Sequence, residues 1–109
     1  MSVSATLLLV VGELPRLKSA KFSLGKVLVT STVFDLYPPA VITGALSRHA
    51  AGDWGDVSEL DRDFNEVALC EGGELTSVGG PMGSQFLIIT EASRKTTTIA
   101  MPVDYGYMG

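Results

Sequence analysis

Short apolar runs, two stretches of helical period and a return to sheet-like runs follow one another along this chain. Residues 3–11 form an apolar run rich in Leu and Val, which predicts a first strand. Residues 12–21, with Pro15 and mixed charge, predict a turn or excursion. After Gly25, a natural turn position, residues 26–30 are β-branched and apolar and predict a second strand. A short helical turn is expected over 32–37, ended by Pro38. Pro38 and Pro39 then suit a helix start, where a missing N–H has no partner to lose. Ile42, Ala45, Leu46 and His49 share one face of that helix, opposite Gly44, Ser47 and Arg48. Gly52 is placed to cap its end.

A second helix is better marked. Asp56 or Ser58 serves as N-cap, with Glu59 or Asp61 three residues later in the manner of a capping box. Leu60, Phe64, Val67 and Ala68 fall at i, i+4, i+7 and i+8, which predicts a buried stripe, with Glu59, Asp63 and Glu66 pointing away. Gly72 and Gly73 end the helix. The period then shifts toward sheet, with strands expected at 75–78, 86–91 and 96–101. The run Phe86-Leu87-Ile88-Ile89 is apolar at every position, which predicts a central strand covered on both sides. A glycine-rich loop at 79–84 is expected to lack stiffness, and 92–95 closes a hairpin. The expected architecture is α+β: an antiparallel sheet of about five strands with two helices packed on it, in the order β-β-α-α-β-β-β. Residues 1–109 are expected to form a single domain, with 103–109 a loose tail.

Composition supports a filled core. At 109 residues and 46% hydrophobic content, with mean hydropathy +0.31, a core forms without metal or disulfide staples. The one cysteine, Cys70, suits a reducing compartment. The 3–11 run is too short to span a bilayer, which takes about 20 residues, and no base precedes it as in a secretory signal. The expected location is cytoplasmic, without membrane contact.

Charge changes the picture more. Eight of the twelve acidic residues fall within 53–74, beside a single base, Arg62. That segment carries a formal charge of −7, while the rest of the chain carries +3, so the net −4 conceals an acidic block on a mildly basic body. Concentrated charge selects partners by sign. Spread along a helix of 22 residues, the block has one acid per roughly 4 Å, against one charge per ~1.7 Å in duplex DNA, so it imitates part of a phosphate track at best. The bases neither cluster nor outnumber the acids, and direct nucleic-acid binding is disfavoured.

Candidate chemistry is sparse. His49, Asp53 and Asp56 are the only residues spaced to suggest a metal or general-base site. The plainer reading makes His49 a buried, hydrogen-bonded histidine on an apolar helix face. On that reading Asp53 and Asp56 cap backbone N–H groups, and Trp54 plugs the turn between helices. No serine elbow appears, the carboxylates near Cys70 disfavour a thiolate, and the 79–84 loop lacks the lysine of a phosphate cradle. No catalytic residue, metal or cofactor is assigned.

Several short motifs together resemble a family of small uncharacterised proteins carried on bacterial plasmids and other mobile elements. They are Leu46-Ser47-Arg48-His49, Gly52-Asp53-Trp54-Gly55-Asp56, Asn65-Glu66-Val67-Ala68-Leu69, Glu71-Gly72-Gly73, Leu75-Thr76-Ser77, Ile88-Ile89-Thr90-Glu91-Ala92, and Arg94 with Thr97-Thr98. The likeness runs from about Phe22 to Met101. Some members are described as restriction-modification subunits, although no catalytic motif accompanies that description. This chain departs at 79–83, where relatives have a more polar hairpin. The resemblance and the acidic block together imply a non-enzymatic accessory protein. It would bind a basic surface on a host nucleic-acid-handling protein, as an anti-restriction or anti-CRISPR inhibitor would, through Glu59, Asp63, Glu66 and Trp54. The alternatives are a metal-dependent enzyme using His49, Asp53 and Asp56, or a structural module that dimerises through the 3–11 strand edge.

Overall fold

Alternation of side chains sorts each strand into two faces, and the helices cover one of them. The computed structural model describes residues 7–10, 20–81 and 83–102. Its elements are β1 (Leu7–Val10), β2 (Lys26–Thr30), α1 (Ser31–Leu36), α2 (Pro39–Ala50), α3 (Glu59–Glu71), β3 (Leu75–Gly79), β4 (Phe86–Thr90) and β5 (Thr96–Ala100). The strands form one sheet in the order β1-β2-β5-β4-β3. Register brings Val27 and Val29, Thr97 and Ile99, Ile88 and Thr90, and Leu75 and Ser77 side by side on one face, all buried. Successive strand residues point to opposite sides, so Leu28, Thr98, Ile89 and Thr76 make the other face, which is half-buried. β4 is internal, as its apolar run predicts, but its outer residues Leu87 and Ile89 are covered only in part.

The expected α+β class is what the chain adopts, with two differences in detail. β2 and β5 pair parallel, so the sheet is mixed rather than antiparallel throughout. β3, β4 and β5 form an antiparallel meander whose last strand docks against β2. Hairpins leave local turn signals, whereas the parallel pairing joins Lys26 to Thr96 and leaves none. The helices described number three, not two, because the turn expected at 32–37 is the helix α1, whose N-cap Thr30 accepts from the Val33 N–H at 3.4 Å. The order is therefore β-β-α-α-α-β-β-β. Of the expected 3–11 strand, Leu7–Val10 pairs antiparallel with β2 at the sheet edge. Residues 3–6 and 11, and the tail expected at 103–109, lie outside the described residues. No helix among those described is long and apolar enough to cross a membrane.

Helix α2 packs as its period predicts. Ile42, Ala45, Leu46 and His49 are at most 4% exposed and join Val27, Val29, Phe86, Ile88 and Ile99 around the main core. Gly52 follows the C-cap Ala51 with φ +85°, a left-handed position that suits glycine. At the end of the 79–84 loop, the buried Tyr37 hydroxyl bonds both the carbonyl and the hydroxyl of Ser84.

Helix α3 overturns its prediction. Ser58 caps it by accepting from the Asp61 N–H at 3.0 Å, as expected. The expected stripe is not buried, however: Leu60, Phe64 and Val67 are 62%, 61% and 55% exposed, and only Ala68 of the four is covered. The helix is turned by roughly 100°, one residue step, so that Asn65, Ala68 and Leu69 face inward. Asn65 explains the setting. Its Nδ2 donates to the Thr76 carbonyl at 2.8 Å and its Oδ1 accepts from the Thr76 N–H at 3.0 Å. β3 is an edge strand, and its outward backbone groups need partners. The 54–56 segment supplies another, since the Val78 N–H donates to the Trp54 carbonyl at 3.0 Å. Gly55 makes that approach possible: at φ +74°, a Cβ there would collide with the Val78 carbonyl oxygen.

Candidate functional site

His49 lies where α2 crosses the sheet and is fully buried. Thr97 donates its hydroxyl proton to the Leu24 carbonyl at 2.7 Å. A hydroxyl has one proton, so Thr97 accepts from Thr90 at 2.7 Å. Thr90 in turn accepts from the His49 Nε2–H at 2.9 Å, and Ser77 donates to the bare Nδ1 at 2.5 Å. One neutral tautomer satisfies every member, and its assignment follows from this donor count. Burial, and after it the positive charge of Arg94, lowers the His49 pKa from 6.5 to about 4. The ring is uncharged at pH 7.

Ser77 and His49 bond each other as a nucleophile and base would, yet Ser77 is 3% exposed and the second ring nitrogen is held by a threonine. Both nitrogens are occupied, so neither is open to a metal ion. Asp53 accepts from the Gly55 N–H at 3.2 Å, and Asp56 accepts from the Gln85 side chain at 2.8 Å. The three residues weighed as a metal or base site therefore bond separate partners and share none. Among the described residues no group of three or more His, Cys, Asp or Glu side chains is arranged to hold a metal ion.

Trp54, offered as a contact residue, is 3% exposed and plugs the junction instead. Its ring lies 5.6 Å from His49 edge-on and 6.2 Å from Phe22 in a stack, and Phe22 meets His49 edge-on at 5.2 Å. Its indole N–H donates to Glu66 Oε2 at 2.8 Å. Glu66 thus carries a bond within the molecule although it is exposed, as Glu59 and Asp63 are. Arg94 closes the far side. It has φ +62°, stands 5.6 Å over the Phe22 ring, and donates to the carbonyls of Gly73 at 2.5 Å and Ala68 at 3.1 Å. These carbonyls lie at the C-terminal end of α3, where the helix dipole favours a cation.

Outside this scaffold, α3 presents its uncovered apolar residues with acids around them. Taken at about 100° per residue, Leu60, Phe64 and Val67 form one stripe. Glu59 and Asp63 run along one side of it, Asp61 lies on the other, and Arg62 points roughly the opposite way. A cleft of about 300 Å3 beside Phe64 is lined by Asp61, Asn65, Glu74 and Thr76. Sequence reasoning missed Asn65, Arg94, Ser77, Thr90 and Thr97 as determinants of the site. The only signal was their presence in the quoted motifs, since polar residues that pair between separate elements leave no periodicity. Comparisons with family models, with curated proteins and with solved structures found no match.

Proposed function

We propose that this is a non-enzymatic binding protein of the mobile-element accessory kind. It uses the exposed surface of α3 to occupy a basic surface on a host nucleic-acid-handling protein, as an anti-restriction or anti-CRISPR inhibitor does. The observation that carries the reading is the combination on one helix of exposed acids, Glu59 and Asp63 among them, with apolar residues the fold leaves uncovered. Glu66 is exposed on the same helix, and the buried Trp54 holds it through their mutual bond. The motifs resembling plasmid-borne proteins supply the genetic setting. The buried, doubly bonded His49 supports no role for itself beyond organising the scaffold.

The test is to express the chain in cells with an active restriction or CRISPR system and to score phage plating or plasmid uptake. Protection is expected with the natural chain and lost with the E59K/D63K variant. Binding to the isolated target weakens as salt rises through the Debye regime. Equal plating with and without the protein, across systems of both kinds, sinks the proposal. A second reading, self-association, is favoured by the place of β1 at the sheet edge. Light scattering decides it, with a monomer ruling it out.

A further inference from the structure

Charge alone does not account for α3. An acidic, solvated helix face gains nothing from Leu60, Phe64 and Val67 at more than half exposure, and the spacing i, i+4, i+7 is that of anchors which a groove receives from a helix. By contrast, the exposed Phe34 and Leu36 sit on the six-residue α1 and carry no such pattern. On α3 the acids border the stripe and Arg62, the one base in 53–74, is turned away from it. The side of the helix bearing the stripe is therefore uniformly negative at its margins. The cleft beside Phe64 extends that margin, with carboxylates from Asp61 and Glu74 in its lining and an aromatic ring next to them, a setting that accepts an ammonium or guanidinium.

We infer that α3 docks, stripe first, into an apolar groove rimmed by Lys and Arg on a protein partner, with Leu60, Phe64 and Val67 as anchors and the acids as rim contacts. This rests on the binding-protein reading above and specifies the partner's surface. Anchors buried at the centre of an interface hold most of its affinity, while rim charges set orientation and encounter rate. Acidic margins also disfavour an anionic membrane as the occupant.

Three helical peptides serve as probes against the full-length chain, followed by amide chemical shifts. One is built of Leu and Lys, with Leu on a single face. A second keeps the lysines but replaces Leu by Ser, and a third keeps Leu but replaces Lys by Glu. The Leu/Lys peptide is expected to give saturating shifts along 59–67, and F64S to weaken it roughly tenfold or more. Because Phe64 is exposed, F64S keeps the amide spectrum of the rest of the chain. Equal binding by the Lys/Ser peptide overturns the groove inference while leaving the acidic-surface reading in place. Equal binding by the Leu/Glu peptide overturns the charged rim, and with it the inference. Silence of α3 toward all three overturns both readings. A dimer that F64S dissolves would make the occupant a second copy, and comparable binding to phosphatidylcholine vesicles would make it lipid. Either result overturns the inference.

Discussion

Helices α2 and α3 carry nearly the same apolar signature and meet opposite fates. In α2, Ile42, Ala45, Leu46 and His49 sink into the core; in α3, Leu60, Phe64 and Val67 stay out of it. The difference lies in what each helix packs on. α2 lies over the buried face of the sheet, where apolar area removed from water is worth about 25 cal/mol per Å2 and decides the rotation. α3 lies along the edge strand β3, where unpaired backbone groups decide it instead. Asn65 pairs with both groups of Thr76, Arg94 holds the helix end, and Glu66 holds Trp54. A helix fixed by polar bonds on one side is free to show apolar residues on another, and that freedom is what a binding surface requires.

The largest effect should come from breaking the polar centre under α2. H49L leaves the Ser77 hydroxyl without an acceptor and Thr90 without a donor. At about 1–3 kcal/mol for each unmatched buried group, the loss is roughly 4 kcal/mol in a urea unfolding experiment. A pH series sharpens the same point. Folding lowers the His49 pKa from 6.5 to about 4, so below pH 6.5 the unfolded chain gains a proton the folded chain resists. The stability contributed by the neutral ring is complete above pH 6.5 and declines as pH falls toward 4, by up to about 3 kcal/mol. H49L lacks that decline, so its gap from the natural chain should narrow across this window. A constant gap would mean that His49 is not held neutral.

Smaller effects test the edge-strand side of the comparison. N65L removes both bonds to Thr76 and should cost about 2 kcal/mol. Hydrogen exchange should show the Thr76 amide accelerating more than amides of the central β5. Unchanged protection there would mean that Asn65 does not set the rotation of α3. The exposed E59K/D63K pair should move stability by only about 0.5 kcal/mol or less, which keeps it usable as a binding variant.

Much of this division could be read from the chain, and its limits are physical. The extents of α2, β2 and the α3 N-cap follow from proline placement, β-branched runs and Ser58, all local signals. The place of His49 on a buried face also follows from period. The rotation of α3 does not, because Asn65 and Thr76 meet only after β3 has taken its edge position, and an asparagine on an acidic helix reads as solvated. The hydroxyls of Ser77, Thr90 and Thr97 were equally silent, since alternation marks them as strand residues without saying what they bond. The parallel β2–β5 pair needed the whole chain to exist before it could form.

The central claim is that Leu60, Phe64 and Val67 belong to a partner and not to the core. Urea unfolding of the L60S/F64S/V67S variant tests it most directly. Residues that are 55–62% exposed should give a loss within about 1 kcal/mol, with the Trp54 environment unchanged. A loss above about 4 kcal/mol, as for large apolar side chains removed from a core, would return the stripe to the interior and contradict the account.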